Sequence, residues 1–233
     1  MGRIIAISGG DLDSTRSINR YAINMLKTGT KQVLYIGTAS METAKDRDDF
    51  CAEFERLGCE VKTLELITQQ HEENYIDGLL AWADIIYVGG GDTIFLRNVW
   101  KEYGIDNRLR EIYQKDSAIL MGISAGAICM FECGITDSEL AHRQRGLSFG
   151  WADQMLGIAA GGFCPHFEER TEEFDELIDL KRVNIHAMES NSAYVYENGE
   201  IRYLKCKPDV KAYFYRYEDN IRYVKEELEL IQV

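Results

Sequence analysis

The stretch Ala118-Ile119-Leu120-Met121-Gly122-Ile123-Ser124-Ala125-Gly126-Ala127 restricts the chain more than any other, because an apolar run ends there in glycine, serine and glycine at alternate positions. Such a run reads as a buried strand that turns sharply into a helix. A serine at that corner sits on a strained backbone, and the flanking Gly122 and Gly126 remove side chains that would collide as strand and helix close on each other. The Ser124 hydroxyl is then pushed out at the carboxyl end of the strand. The amides from Ala125 onward lie in the first helical turn, where unsatisfied N–H groups and the helix dipole favour a developing negative charge. The pattern predicts a nucleophile elbow. The same five residues also suit a plain packing turn in an α/β sheet, so the rest of the chain has to decide between the two.

Strand and helix signals alternate before the elbow. Arg3–Ser8, Gln32–Ala39, Cys59–Leu66, Ile85–Val88 and Ala118–Ser124 read as strands, and Ser14–Lys27, Ala44–Leu57, Glu72–Ala83, Thr93–Tyr103 and Asp106–Lys115 carry apolar residues at helical spacing. Strands separated by helices of this length imply right-handed crossovers and a doubly wound, mostly parallel α/β sheet, with ligands at the carboxyl ends of its strands. After Gly134 the pattern changes. Residues 135–163 read as irregular and glycine-rich, Glu168–Arg182 as a helix and Val183–Met188 as a short strand. Ala193–Tyr196 and Ile201–Lys205 form a hairpin around Asn198-Gly199, and Val210–Tyr217 is a further strand. With no internal repeat and no low-complexity linker, residues 1–233 are expected to form a single domain.

Charge removes several function classes. A net charge of −13 with no cluster of Lys and Arg argues against nucleic acid and against an anionic membrane surface. No apolar window approaches a membrane span, and the apolar run at the N-terminus is too short for a signal peptide. The six cysteines lack C-x-x-C pairing and are read as free thiols, which places the chain in the cytoplasm. Nucleotide binding through Ser8-Gly9-Gly10-Asp11 or Gly89–Gly91 is disfavoured, because neither G-x-G-x-x-G nor G-x-x-x-x-G-K-[ST] occurs. No metal-ligand spacing is present, so neither a metal nor another cofactor is expected. The oligomeric state is left open.

A serine needs a base, and the chain has four histidines. His71 and His142 lie in polar stretches and read as surface residues, while His186 sits inside a short strand. His166 follows the apolar approach Gly161-Gly162-Phe163-Cys164-Pro165 and stands just before a helix, where catalytic side chains collect. A third group should orient the imidazole. Glu189 is the carboxylate best placed at a strand end, with Asp137 and Asp153 next. Gly89-Gly90-Gly91 is available as a second source of oxyanion donors or as a simple tight turn.

The segments IIYVGGGDTIFL, GISAGA, CPHF and HAMESNSAYVY, in order between about Ile4 and Tyr196, resemble the successive motifs of the dipeptidase E family of serine peptidases, which includes cyanophycinase. The resemblance implies a class I glutamine amidotransferase-like fold and hydrolysis of small peptides through a Ser-His-Glu triad. Residue by residue it implies Ser124 as nucleophile, His166 as base, Glu189 as acid, and Gly90 or Gly91 with Ala125 as oxyanion donors. It also implies Asp92 as a substrate contact and Arg170 as the group that would hold the side chain of an N-terminal Asp, the plain alternative for Arg170 being a surface arginine paired with a neighbour such as Glu169 or Glu173. This chain departs from the family where it has Asp92 for Asn, Cys164 for Asn, and Met188-Glu189-Ser190 for Pro-Glu-Gly. The competing reading is a non-catalytic amidotransferase-like interaction or sensing module that keeps the elbow for packing.

Overall fold

The structure is a computed structural model that describes residues 2–26, 29–142, 147–218 and 222–233. Its first half runs β1 (Arg3–Ile7), α1 (Arg16–Asn24), β2 (Gln32–Ile36), α2 (Ala44–Arg56), β3 (Glu60–Leu64), α3 (Glu73–Trp82), β4 (Ile85–Val88), α4 (Thr93–Tyr103), α5 (Ile105–Lys115), β5 (Ile119–Ile123) and α6 (Ala125–Ile128). The second half continues with β6 (Cys133–Thr136), α7 (Glu139–His142), β7 (Gly150–Asp153), β8 (Gly162–Cys164), α8 (Phe167–Lys181), β9 (Ile185–Met188), β10 (Ser192–Glu197), β11 (Glu200–Lys205), β12 (Ala212–Glu218), β13 (Arg222–Glu227) and β14 (Ile231–Gln232). The predicted end of the first helix at Lys27 lies outside the described residues.

The larger sheet has the order β14-β11-β10-β1-β5-β4-β2-β3. Neighbours from β1 to β3 pair in parallel, and β10 closes the parallel part by pairing antiparallel with β1. Period-two alternation sorts its side chains onto two faces. Ile5, Ile7, Val33, Tyr35, Tyr87 and Met121 pack with Ile18 and Ala22 of α1 and Phe50 and Phe54 of α2. Ile4, Ala6, Leu34, Ile36, Ile86 and Leu120 pack with Leu79 of α3, Leu96 and Trp100 of α4 and Leu109 of α5. Each large side chain removed from water contributes about 1.5–3 kcal/mol, so both faces must be covered by helices, as the near-continuous apolar strands require. The carboxyl ends of β1, β4 and β5 thereby come to lie side by side.

Two expectations change. The strand expected over Gln32–Ala39 stops at Ile36, because Thr38–Ser40 form one 3-10 turn and Met41 and Glu42 follow at φ 59° and 55°. The Glu42 carboxylate holds that turn by accepting the amides of Leu66, Ile67 and Thr68. The segment 135–163, expected to be irregular, carries strands of a second sheet with the order β13-β12-β9-β8-β6-β7. Its strands in this region are three or four residues long, too short for an alternation signal to stand out. Helix α8 covers this sheet through Phe167, Phe174, Leu177 and Ile178 against Ile135, Cys164, Ile185 and Tyr215. All six cysteines are free. No helix among the described residues is long and apolar enough to cross a membrane.

Candidate active site

At the β5–α6 corner Ser124 adopts φ 53° and ψ −111°. That conformation costs a non-glycine residue on the order of 1–3 kcal/mol. It persists because its surroundings leave the chain no alternative. A Cβ on Gly122 would lie 2.4 Å from the Gly126 carbonyl oxygen, and one on Gly126 would lie 2.2 Å from that of Val88. The Ser124 amide donates to Ile7 O at 3.0 Å, tying the corner to the end of β1. Strands β1, β4 and β5 therefore hold the serine in common.

His166 occupies a second corner, between β8 and α8, and is also at positive φ (50°). Its amide donates to Ser8 Oγ at 3.0 Å, and Ser8 Oγ donates in turn to Met188 O at 2.6 Å, so one buried hydroxyl joins the ends of β1 and β9 to the histidine. Gly9 backs the imidazole: a Cβ there would stand 2.2 Å from Cε1 and 2.4 Å from Nδ1. The ring spans two hydroxyls, with Nε2 3.1 Å from Ser124 Oγ and Nδ1 3.0 Å from Ser190 Oγ. Either neutral tautomer satisfies both contacts, and the one that can activate the serine has Nδ1–H donating to Ser190 and Nε2 accepting from Ser124. Burial pushes the imidazole below its ordinary pKa and Arg170 adds to that, against the opposing charges of Glu169, Glu168 and Asp137. The ring is thus neutral at pH 7 and able to take a proton.

The structure does not bring Glu189 to the histidine. Its carboxylate accepts the Lys211 amide at 2.8 Å, and its own amide donates to Lys211 O at 3.1 Å, so it fastens the turn after β9 to the loop before β12. The next residue, Ser190, reaches Nδ1 instead, and the Ser190 amide donates to both oxygens of Glu168 at 3.1 Å. His166, Glu168 and Glu169 each place one polar atom within 4.8 Å of the others. A cation held by these three would compete for the histidine that the serine needs. Asp137 acts on His166 by its charge, whereas Asp153 is engaged by Lys181.

Other expected site residues fall into two groups. Gly90 lies against Ser124, its would-be Cβ 3.4 Å from Ser124 Cβ, and Ala125 opens the short helix α6. Gly91, at φ 135°, is glycine because a Cβ would strike Ala39 O at 2.2 Å. Asp92 caps α4 by accepting the Phe95 amide at 2.9 Å. Arg170 is not a surface residue: it is 3% exposed, donates to Ile135 O and lies over the Phe149 ring with 5.0 Å between Cζ and the ring centroid. His186 is buried among aromatic rings, and burial lowers its pKa to about 4. His71 bonds the Glu65 carbonyl and stacks on Tyr75. The side chain of His142 lies outside the described residues. Ser8, Gly9 and Ser190 were missed as site residues. The Gly9-Gly10 pair after β1 and the replacement of the family's Pro-Glu-Gly by Met188-Glu189-Ser190 were the signals that could have found them.

A cavity of about 660 Å³ opens beside Ser124 and His166, within the range of pockets that hold small ligands. A serine at a strained strand-to-helix corner, hydrogen-bonded to an imidazole beside a cavity, is the arrangement that serine hydrolases use. The family profile described as Peptidase family S51 matches residues 4–204, and the chain belongs to that family of serine-type peptidases. The uncharacterized peptidase YgaJ of Bacillus subtilis (strain 168) is 34% identical over 187 residues, covering 78% of this chain and 76% of its own length. Two solved structures share the fold at 19% identity. One is a peptidase from an acI-B1 Actinobacterium, with a TM-score of 0.70 and coverage of 100% of this chain and 97% of that one. The other is a candidate peptidase E from Listeria monocytogenes EGD-e, with a TM-score of 0.68 and coverage of 89% and 100%.

Proposed function

We propose that the protein hydrolyses small peptides through Ser124 and His166, with Ser190 holding the imidazole in register. Ser124 Oγ attacks the scissile carbonyl while His166 Nε2 takes its proton. The amides of Gly90 and Ala125 receive the oxyanion, and the protonated imidazole then delivers its proton to the leaving amine. Water, deprotonated by the same nitrogen, releases the acyl group. The observation that carries this reading is the Ser190–His166–Ser124 chain of contacts at 3.0 and 3.1 Å. A hydroxyl orients an imidazole without supplying charge, and Glu168 and Glu169 add negative charge nearby.

A Ser-His-Glu triad through Glu189 would require that carboxylate to leave the Lys211 amide. A preference for N-terminal Asp through Arg170 would require a buried guanidinium to leave Ile135 and Phe149. We adopt neither. The test is turnover of a dipeptide panel by wild type and by Ser124→Ala: the variant folds and loses hydrolysis by about four to six orders of magnitude. Undiminished turnover by the variant ends the proposal. Within the same panel, Leu-Leu is turned over at least as fast as Asp-Leu.

A further inference from the structure

The cavity beside Ser124 is lined by Leu12 and Ile123 and backed by a buried cluster of aromatic rings. Tyr35 and Phe50 lie with their centroids 4.2 Å apart, and Phe50 stands 4.8 Å from Tyr87. These rings are buried on their far side by the core beneath α1 and α2, so this backing is rigid before any ligand arrives. Gly89, in the loop beside the nucleophile, makes room for it: a Cβ there would stand 2.7 Å from the Tyr35 hydroxyl. The wall residue Tyr87 is 1% exposed, and its hydroxyl has no hydrogen-bond partner among the described residues.

The charged part of the lining is already internally matched. Its cations are Arg16, Lys45 and Arg56. Arg16 and Arg56 share Glu53 at 2.8 and 2.6 Å, and Lys45 is held by Asp49 at 2.8 Å. With Asp11, Asp13 and Asp46 added, acids outnumber cations along the wall. A substrate carboxylate would therefore meet competing acids, whereas an apolar group would meet the half-buried side chains of Leu12 and Ile123.

From this we infer that the cavity is a specificity subsite for a large apolar or aromatic side chain on a residue flanking the scissile bond. The inference rests on the serine-peptidase reading above. Moving a phenylalanine-sized side chain from water into this cavity is expected to favour Phe over Ala by at least about tenfold in kcat/KM, since a single methylene in an apolar pocket is worth about 10- to 200-fold.

The experiment compares Phe-Ala, Ala-Phe, Ala-Ala and Asp-Ala as substrates of the wild type and of Ala52→Trp. Ala52 lines the cavity from an exposed position on α2, so a larger side chain there narrows the cavity without entering the core. At least one of the two Phe-containing isomers should exceed Ala-Ala by tenfold or more. Ala52→Trp should lower the ratio of Phe-peptide to Ala-Ala kcat/KM to below about threefold, and Ala52→Ser should retain the advantage. Neither isomer exceeding Ala-Ala, Asp-Ala being preferred, or the Phe advantage surviving Ala52→Trp would each overturn the inference while labelling at Ser124 leaves the peptidase reading standing. Absence of both labelling and turnover would remove the two together.

Discussion

The β5–α6 and β8–α8 corners are built alike and specified differently. Each is a strand-to-helix turn with a non-glycine residue at positive φ, Ser124 at 53° and His166 at 50°, and each aims a side chain at the other. At the first corner the relief is local, because Gly122 and Gly126 lie two residues on either side of the serine. At the second it comes from far away in sequence: Gly9 clears space for the ring, Ser8 takes its amide, and Ser190 takes its Nδ1. A strained functional residue can thus be supported by its sequence neighbours or by the ends of other strands. Only the first kind leaves a pattern that a short motif can display.

If the corners act as one unit, removing both costs little more than removing one. His166→Ala should lower kcat by nearly as much as Ser124→Ala, and the double variant should lose no more than about tenfold beyond either. Additive losses in steady-state kinetics would mean the two residues work separately.

The remote support of the second corner is broken most cleanly by Gly9→Ala. The new methyl would overlap the imidazole and approach Ser190 Oγ at 2.8 Å, so the ring must move. A displacement of about 1 Å is enough to lower kcat about 100-fold. Circular dichroism should show the fold retained, and activity within threefold of wild type would mean the ring is not held from this side.

Next in size is the choice of orienting group. Ser190→Ala should reduce kcat by about 10- to 100-fold with little change in KM, the usual cost of removing a supporting hydrogen bond from a functional imidazole. Glu189→Gln should stay within about threefold, since its carboxylate bonds a backbone amide away from the ring. The reverse ranking would restore Glu189 as the third member.

The smallest effect concerns stability. At φ 53° and ψ −111°, glycine is tolerated where a side chain is strained, so Ser124→Gly should be more stable than Ser124→Ala by about 1 kcal/mol, a Tm difference of about 2–4 °C. Equal melting temperatures would mean the elbow stores no backbone strain.

The same contrast explains what could be read from the chain beforehand. The parallel sheet was legible because runs such as Ile85–Val88 and Ala118–Ser124 are almost wholly apolar and lie between well-spaced helices, whatever their length, and they end where the loops at Gly89 and Ser124 begin. Strands β6, β7 and β8 were not, since their three or four residues mix glycine, polar and apolar side chains and their pairing is long-range. The strained corner at Ser124 was legible from glycine spacing and the position of His166 from its place at an element's end. Ser190 was not, because adjacent residues at a strand end point in different directions and sequence alone favoured the charged Glu189. Arg170 looked like a surface or substrate arginine because helix periodicity does not reveal that its face turns onto Ile135 and Phe149.

The central claim is that a neutral His166 activates Ser124 across the meeting of these two corners, and the pH dependence of fluorophosphonate labelling tests it most directly. Burial and Arg170 hold the imidazole below its ordinary value of 6.5, so its proton-accepting form persists to lower pH than in a free histidine. The labelling rate should rise with pH through a single step centred below about 6.5, with one adduct mapped by mass spectrometry to Ser124, and His166→Ala should abolish the step and nearly all labelling. An adduct at another residue, or a rate and pH profile unchanged in His166→Ala, would contradict the account.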